Sequence, residues 1–378
     1  MLGLVALVVS VAGCSSGPSG VEVSVVTRSL DGPTALAPST TRPAAGASAP
    51  TAAAPGTTVL GGRSSPVPVG ATGAVGDGWA MSVDGFVPDA DLAVAAANSF
   101  NDPPGPGKRY VLVKVTLRYG SDAVADKATP VLVRIEAVGP SKTSYRSSDA
   151  AVVAPDDLDI STEVFKGGAL TGNIAFAVSA TDAADLLVSA SAGFDGAERF
   201  FATNAGQASP SGDVVGTTTT VAVGAATGRV AVPGARANPL PRRTPGAIGD
   251  GWRLTVTDYV ADAGAVIAAT NSFNEPPPAG KQYAMVRVTL TYGEGGTDDK
   301  ANPLVIIRAV GPSNTAVNWT DSFVVAPDAL VTTDAVLRGQ SITGNIVFAV
   351  TSADAARLVV YASAGFGSDD VFFATAPR

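Results

Sequence analysis

A strictly alternating stretch, from Tyr110 to Tyr119, predicts the central strand of this chain. Its odd-numbered positions are three valines, a leucine and a tyrosine, and its even-numbered positions include Lys114, Thr116 and Arg118. This period of two is typical of a β-strand with one buried face. The residues just before it, rich in Asn, Pro and Gly, predict a loop.

The same pattern occurs twice. The segment 98–120 returns as 271–293, and GDGW at Gly76–Trp79 returns at Gly249–Trp252, both 173 residues later. TGNIAFAV at Thr171–Val178 returns as TGNIVFAV 172 residues later. A match this long with one deletion indicates duplication of a whole domain.

Each copy contains about seven short Val-rich runs separated by Gly, Pro, Asp and Ser. This pattern predicts an all-β fold, with two tandem immunoglobulin-like antiparallel β-sandwiches, and leaves a closed barrel as the alternative topology. Residues 89–98 fit either a short helix or an irregular crossing. The aromatic residues expected between the sheets of the first copy are Trp79, Tyr119, Phe176, Phe194 and Phe201.

The N-terminus predicts export and lipidation. Residues 1–13 form a short apolar run with the length of a signal-peptide core, and Val11–Cys14 resembles the lipobox of bacterial lipoproteins. Cleavage there leaves Cys14 as the lipidated first residue, anchored to the membrane through its lipid. The alternative is a plain secretory peptide with a chance cysteine.

Composition divides the whole chain into five parts. The signal peptide at 1–13 is followed by a disordered tether at 14–70, a first domain at 71–203, a linker at 204–245 and a second domain at 246–378. The tether is rich in Ala, Pro, Ser and Thr and cannot bury enough apolar surface to fold. A flexible linker would let the two domains move independently.

Charge and missing residue types exclude several functions. The chain carries a net charge of −8, and 66–203 and 246–378 carry −7 and −5, which argues against nucleic-acid binding. It has no histidine and one cysteine, so imidazole-based catalysis and intrachain disulfides are excluded. We expect no cofactor and no bound metal.

Each copy resembles a domain of unknown function that is common in lipoproteins of high-GC Gram-positive bacteria and similar to small secreted immunoglobulin-like antigens. The motifs that carry the resemblance in the first copy are Trp79, Gly107–Tyr110 and Gly172–Val178. Those in the second copy are Trp252, Gly280–Tyr283 and Gly344–Val350. The resemblance implies an immunoglobulin-like sandwich that lies in the cell envelope or is secreted, and that has no catalytic residues.

The candidate interaction residues lie in the repeated polar loop and at one unpaired tryptophan; they are Asn98, Phe100, Asn101, Asn271, Phe273, Asn274 and Trp319. The loop could form a contact surface, or Phe100 could plug the sandwich end while the asparagines cap turns. We favour the plug for Phe100. Trp319 corresponds to Ser147, so it is either an exposed anchor for a partner or local packing.

Acidic residues offer the other candidate chemistry. Asp77 and Asp250 precede the first strand of each copy, and a turn role is preferred to calcium binding. The acidic stretch Asp156 to Glu163 is interpreted as a solvated loop.

The sequence as a whole therefore favours a lipid-anchored, extracytoplasmic, non-catalytic protein that contacts a protein or envelope partner. The alternatives are a carboxylate enzyme acting on wall glycans and a structural spacer or antigen.

We predict that metabolic labelling with a fatty acid tags this protein and that Cys14→Ala abolishes the label. The thiol is the acceptor of the diacylglycerol, and no second cysteine can replace it. Immunoprecipitation followed by detection of the label checks this. A label that persists in the variant contradicts lipidation at Cys14.

Overall fold

The computed structural model describes residues 60–193, 196–207, 232–365 and 367–376. The predicted signal peptide, Cys14, most of the tether, the central part of the linker and Phe194 lie outside the described residues. The regular secondary structure of the described chain consists mostly of antiparallel β-strands, with three short α-helices. The all-β prediction is confirmed.

Over its described residues, the first copy has ten strands and one α-helix. In chain order they are β1 (Gly73–Gly76), β2 (Trp79–Val87), α1 (Asp91–Ala97), β3 (Lys108–Tyr119), β4 (Lys127–Ala128), β5 (Val133–Val138), β6 (Ser144–Arg146), β7 (Val164–Phe165), β8 (Ala169–Ser179), β9 (Leu187–Ala192) and β10 (Arg199–Ala202).

The second copy repeats this order with one more helix. Its elements are β11 (Gly246–Gly249), β12 (Trp252–Val260), α2 (Gly264–Thr270), β13 (Gln282–Tyr292), β14 (Lys300–Ala301), β15 (Val305–Val310), β16 (Ala316–Asn318), β17 (Val336–Leu337), β18 (Ser341–Val350), α3 (Ser352–Ala355), β19 (Val359–Ala364) and β20 (Val371–Ala374).

Each copy is a two-sheet sandwich. The strand orders are β1-β2-β3-β8 and β10-β9-β5-β6 in the first copy, and β11-β12-β13-β18 and β16-β15-β19-β20 in the second. With β1 and β11 as additional edge strands, β2-β3-β8 and β10-β9-β5-β6, and their second-copy equivalents, follow the order of the A-B-E and G-F-C-C′ sheets of an immunoglobulin-like sandwich. Barrel closure, the alternative topology, does not occur in either copy over the described residues.

The central strand β3 pairs with β2 on one side and with β8 on the other. Its odd-numbered side chains from Val111 to Tyr119 are buried between the sheets, as the alternation predicts. Tyr110 and Leu112 on the opposite face are also buried, because α1 packs over the start of the strand through Val94. The ambiguous segment 89–98 is therefore a short helix that covers the outer face of the sheet.

The aromatic residues pack as expected. Trp79, Tyr119, Phe176 and Phe201 are buried in the first core, and the rings of Trp79 and Tyr119 lie 4.9 Å apart. The equivalent rings of Trp252 and Tyr292 lie 5.0 Å apart in the second core. Aromatic pairs bury a large area and fix the packing of the two sheets.

The folded copies begin earlier in the chain than composition predicts. Val67, in the predicted tether, is buried and forms a parallel bridge with Phe201. Leu240, in the predicted linker, forms the same bridge with Phe373. A Pro-rich segment can add one or two hydrogen bonds to a sheet edge without forming a full strand, which is why composition alone hides it.

The two copies share a junction built by β7. Phe165 N donates to Asn314 O at 2.8 Å, and Ala316 N donates to Glu163 O at 2.9 Å, so β7 extends the edge of the second copy's sheet next to β16. The ring of Phe165 is fully buried there. The second-copy residues that surround it are Val310, Ala316, Tyr361 and Phe372.

Charged groups converge beside this ring. The carboxylate of Glu163 accepts hydrogen bonds from Lys127 and from the Tyr361 hydroxyl, both at 2.8 Å, and lies 3.6 Å from Arg308. Lys127 also contacts Asp370 at 2.5 Å. Burial, and then the nearby Glu163 carboxylate, raise the pKa of the Tyr361 phenol, so it stays protonated and donates across the junction.

The junction contradicts the expectation that the domains move independently. In the sequence, the junction is marked by a difference between the copies. Phe165 corresponds to Leu337, and Glu163 corresponds to Ala335. Leu337 is 59% exposed, so the second copy has no equivalent contact through this residue. A short segment that differs between copies thus decides how they pack.

We predict that Phe165→Ala lowers the free energy of unfolding by about 3 kcal/mol, because it leaves a cavity between the copies. The matched variant Leu337→Ala, at the same position of the second copy, should change it by less than about 0.5 kcal/mol. Urea unfolding followed by circular dichroism measures both. Equal effects of the two substitutions contradict this description of the junction.

Candidate functional site

The phenylalanines of the repeated loop point outward. Phe100 is 91% exposed and Phe273 is 89% exposed. The expectation that Phe100 plugs the sandwich end is therefore wrong. The buried cluster at this end of the sheet is formed instead by α1, through Val94, and by Tyr110.

The asparagines hold this loop in place. The Asn101 amide donates to Val94 O at 2.7 Å and to Val153 O at 2.8 Å, and its oxygen accepts from Val153 N at 2.9 Å. The side-chain oxygen of Asn98 accepts from Phe100 N at 2.9 Å and closes a tight turn. Asn101 thereby ties α1, the phenylalanine loop and the segment around Val153 together.

The second copy reproduces these contacts. Asn274 donates to Ile267 O at 2.7 Å and to Val325 O at 2.9 Å, and it accepts from Val325 N at 2.8 Å. Asn271 accepts from Phe273 N at 2.9 Å. Both copies therefore present an exposed phenylalanine on a loop fixed by side-chain hydrogen bonds.

Further exposed apolar residues lie on the segments that these asparagines bind. We call the group Leu92, Phe100 and Val153 the first tip, and the group Phe273, Phe323 and Val325 the second tip; all six are exposed. Phe323 has a left-handed backbone with a φ of 44°, which is unusual for a bulky residue. Large exposed apolar groups clustered in this way mark interaction surfaces.

Acidic residues accompany both tips. Asp102 follows the first phenylalanine loop closely, and Glu275 follows the second. Asp149 and Asp321 lie in the exposed turns just before Val153 and Val325. Each tip is therefore an apolar surface with acidic neighbours in sequence.

Trp319 is partly buried and packs against the main core of the second copy. It begins a 3-10 helix, Trp319–Ser322, which is fastened to β18 by a hydrogen bond of 2.9 Å from Ser322 Oγ to Val347 O. The interpretation as an exposed anchor is wrong, and the alternative of local packing holds.

The acidic residues do not converge on a common point. Asp77 and Asp250 adopt left-handed turn conformations with φ of 49° and 46°, in agreement with a turn role. Within the described ranges, no group of three or more His, Cys, Asp or Glu side chains could hold a metal ion. Glu163, at the end of the acidic stretch, belongs to the junction instead.

Asp157 and Asp159, which belong to the acidic stretch from Asp156 to Glu163, have different surroundings. Burial raises the pKa of Asp157, and Asp159 adds to this, whereas the N–H of Leu158 opposes it. Burial would also raise the pKa of Asp159, but hydrogen bonds from Ser161 and Thr162 outweigh it and lower that pKa overall.

Sequence reasoning missed a groove in the first copy. It has a volume of about 480 Å³ and lies between the turn at Ser147–Ser148, the segment around Val153 and the strands β5 and β8, where Ile135 and Ile174 line it. The sequence signal for it is the difference between Ser147 in the first copy and Trp319 at the equivalent position of the second.

Comparisons with known proteins do not assign this chain to a family. No family model matches the chain, and the search of curated proteins gave no significant match. Several solved structures match, among them an uncharacterized β-sandwich protein from Clostridium difficile 630. That likeness has 10% identity and a TM-score of 0.23, and it covers 36% of this chain and 91% of the other.

None of the helices in the described part of the chain is long and apolar enough to cross a membrane.

We predict that Asn101→Ala lowers the free energy of unfolding by about 1–2 kcal/mol and loosens the first tip, because two carbonyls and one N–H lose their partner. The control Asn98→Ala removes one hydrogen bond and should cost less than half as much. Thermal unfolding measures the energies, and the rate of chymotrypsin cleavage after Phe100 measures the loosening. Unchanged stability and cleavage in Asn101→Ala contradict this role.

Proposed function

We propose that this protein is a lipid-anchored, extracytoplasmic, non-catalytic binding protein whose two tips contact a partner in the cell envelope. The apolar N-terminal run and the lipobox-like Val11–Cys14 support the location. The resemblance of both copies to a domain of Gram-positive lipoproteins supports the same assignment.

The observation that carries this proposal is the pair of exposed phenylalanines. Exposing two large rings to water is unfavourable, yet in each copy several asparagine hydrogen bonds fix the loop that carries the ring outside the core. A loop that is already ordered before binding loses little conformational entropy when a partner covers it. The tips therefore suit a protein surface with apolar pockets and, given the acidic neighbours, basic residues around them.

The junction supports a two-point contact. Because the copies share a buried ring and an ionic cluster, the tips are parts of one folded unit. Two sites on one unit bind a partner with matching sites much more tightly than either site alone. A partner that displays the same binding site twice would contact both tips at once.

The two alternatives receive less support. A glycan-cleaving enzyme needs a pair of carboxyls facing each other across a cleft, and the acidic residues described above serve turns, hydroxyl contacts and the junction. A plain spacer would have no need for fixed exposed aromatic rings at the same position of each copy. Binding is thus the function that the geometry supports best.

We predict that the double variant Phe100→Ala and Phe273→Ala loses the partner that the unaltered protein captures by crosslinking in intact cells. Each single variant should reduce capture by about tenfold, since one truncated aromatic anchor typically costs about 1–2 kcal/mol. The yield of crosslinked partner, identified by mass spectrometry, is the measurement.

The matched control is the double variant Val124→Ala and Leu304→Ala. It removes two equally exposed apolar side chains that lie away from the tips, beside the loops after β3 and before β15. The control should keep full capture. Capture that survives loss of both phenylalanines, or is lost equally in the control, contradicts the proposal.

A further inference from the structure

The groove of the first copy has a filled counterpart in the second. Ser147 begins the turn that borders the groove, and the corresponding position holds Trp319. The indole of Trp319 packs against the second core, and its 3-10 helix contacts β15, β16 and β18. The two copies share this position in the fold, but only the second copy has an aromatic side chain there.

Burial of the surrounding residues agrees with this. Ile307 of β15 is 3% exposed, whereas its first-copy equivalent Ile135 is only partly buried. Ile346 of β18 is 1% exposed and its equivalent Ile174 is 8% exposed. The first copy therefore keeps apolar surface accessible that the second copy covers.

The charge of the groove differs between copies as well. Among the described residues that line it, Asp157 alone is charged, and the equivalent position in the second copy is Ala329. Further along the first-copy sheet, Glu136 pairs with Arg146 at 3.3 Å, so these two charges compensate each other. The groove thus combines an apolar wall with one carboxylate that has access to solvent.

We propose that the first-copy groove binds an aromatic ring that carries an amino group, with the ring in the place taken by the Trp319 indole in the second copy. Ile135, Ile160 and Ile174 supply the apolar contacts to the ring. Asp157, for which the described residues supply no ion-pair partner, faces the cationic amine, since a carboxylate beside a partly desolvated wall attracts a positive group. This site is separate from the tips and does not depend on them.

Two kinds of ligand carry both the aromatic ring and the amino group. A free arylalkylamine carries the ring and the amine on one small molecule, and so does the N-terminal residue of a peptide that begins with tryptophan. A peptide would also extend past the groove and could gain contacts with the exposed Val153. The two sources are distinguished by comparing affinities.

The experiment uses tryptamine as the probe and the full chain with isotope-labelled Ile and Val methyl groups. NMR titration should give saturable shifts at the methyls of Ile135, Ile160 and Ile174, with a Kd of about 1 mM for a fragment of this size. Indole-3-propionate, which carries a carboxylate instead, should bind at least tenfold more weakly. A peptide with N-terminal tryptophan that binds more tightly than tryptamine indicates a peptide ligand, and the reverse order indicates a free amine.

Three variants make the test decisive. Ser147→Trp copies the second-copy residue into the groove and should abolish binding while the protein stays folded. Ile160→Arg, at the exposed mouth, should also abolish binding and serves if the first variant fails to fold. Asp157→Asn should remove the preference for tryptamine over indole-3-propionate. Absence of saturable shifts, shifts outside the groove, or unchanged binding in Ile160→Arg overturns the proposal.

Discussion

The central strand of each copy is the constraint on which the rest of the structure depends. β3 and β13 pair along nearly their whole length with strands on both sides, and their alternating apolar face forms the middle of each core. Burial of that face fixes the register, because a shift of one residue would turn the valines to solvent. The aromatic pairs, the covering helices and the positions of the loops all follow from this register.

The copies share this framework but differ at the positions that decide contacts. Phe165 and Glu163 give the first copy a strand that attaches to its neighbour, whereas Leu337 leaves the equivalent strand of the second copy without that contact. Trp319 fills a place that Ser147 leaves open. Features that both copies keep, above all the asparagine-fixed phenylalanines, are those for which a shared role is the simplest explanation. Features that differ indicate a division of labour between the copies.

Much of the fold could be predicted from the sequence, because alternation and turn residues are local signals. The sandwich class, the duplication and the buried Trp79, Tyr119, Phe176 and Phe201 all follow from such patterns. The orientation of Phe100 could not be predicted, since it depends on α1 and Tyr110 already filling the sheet end. The junction was also hidden, because β7 is two residues long and its partners are far away in sequence. The sequence marks Trp319 as unusual, because Ser147 is its counterpart, but its packing against distant strands is a tertiary effect.

Through β7 the two copies form one unit, which holds the two tips in a fixed relation. Residual dipolar couplings of backbone amides, measured for both copies in one alignment medium, report whether this relation is fixed in solution. We expect a single alignment tensor to fit both copies. Two tensors of clearly different magnitude or orientation would show that the copies reorient independently and would contradict it.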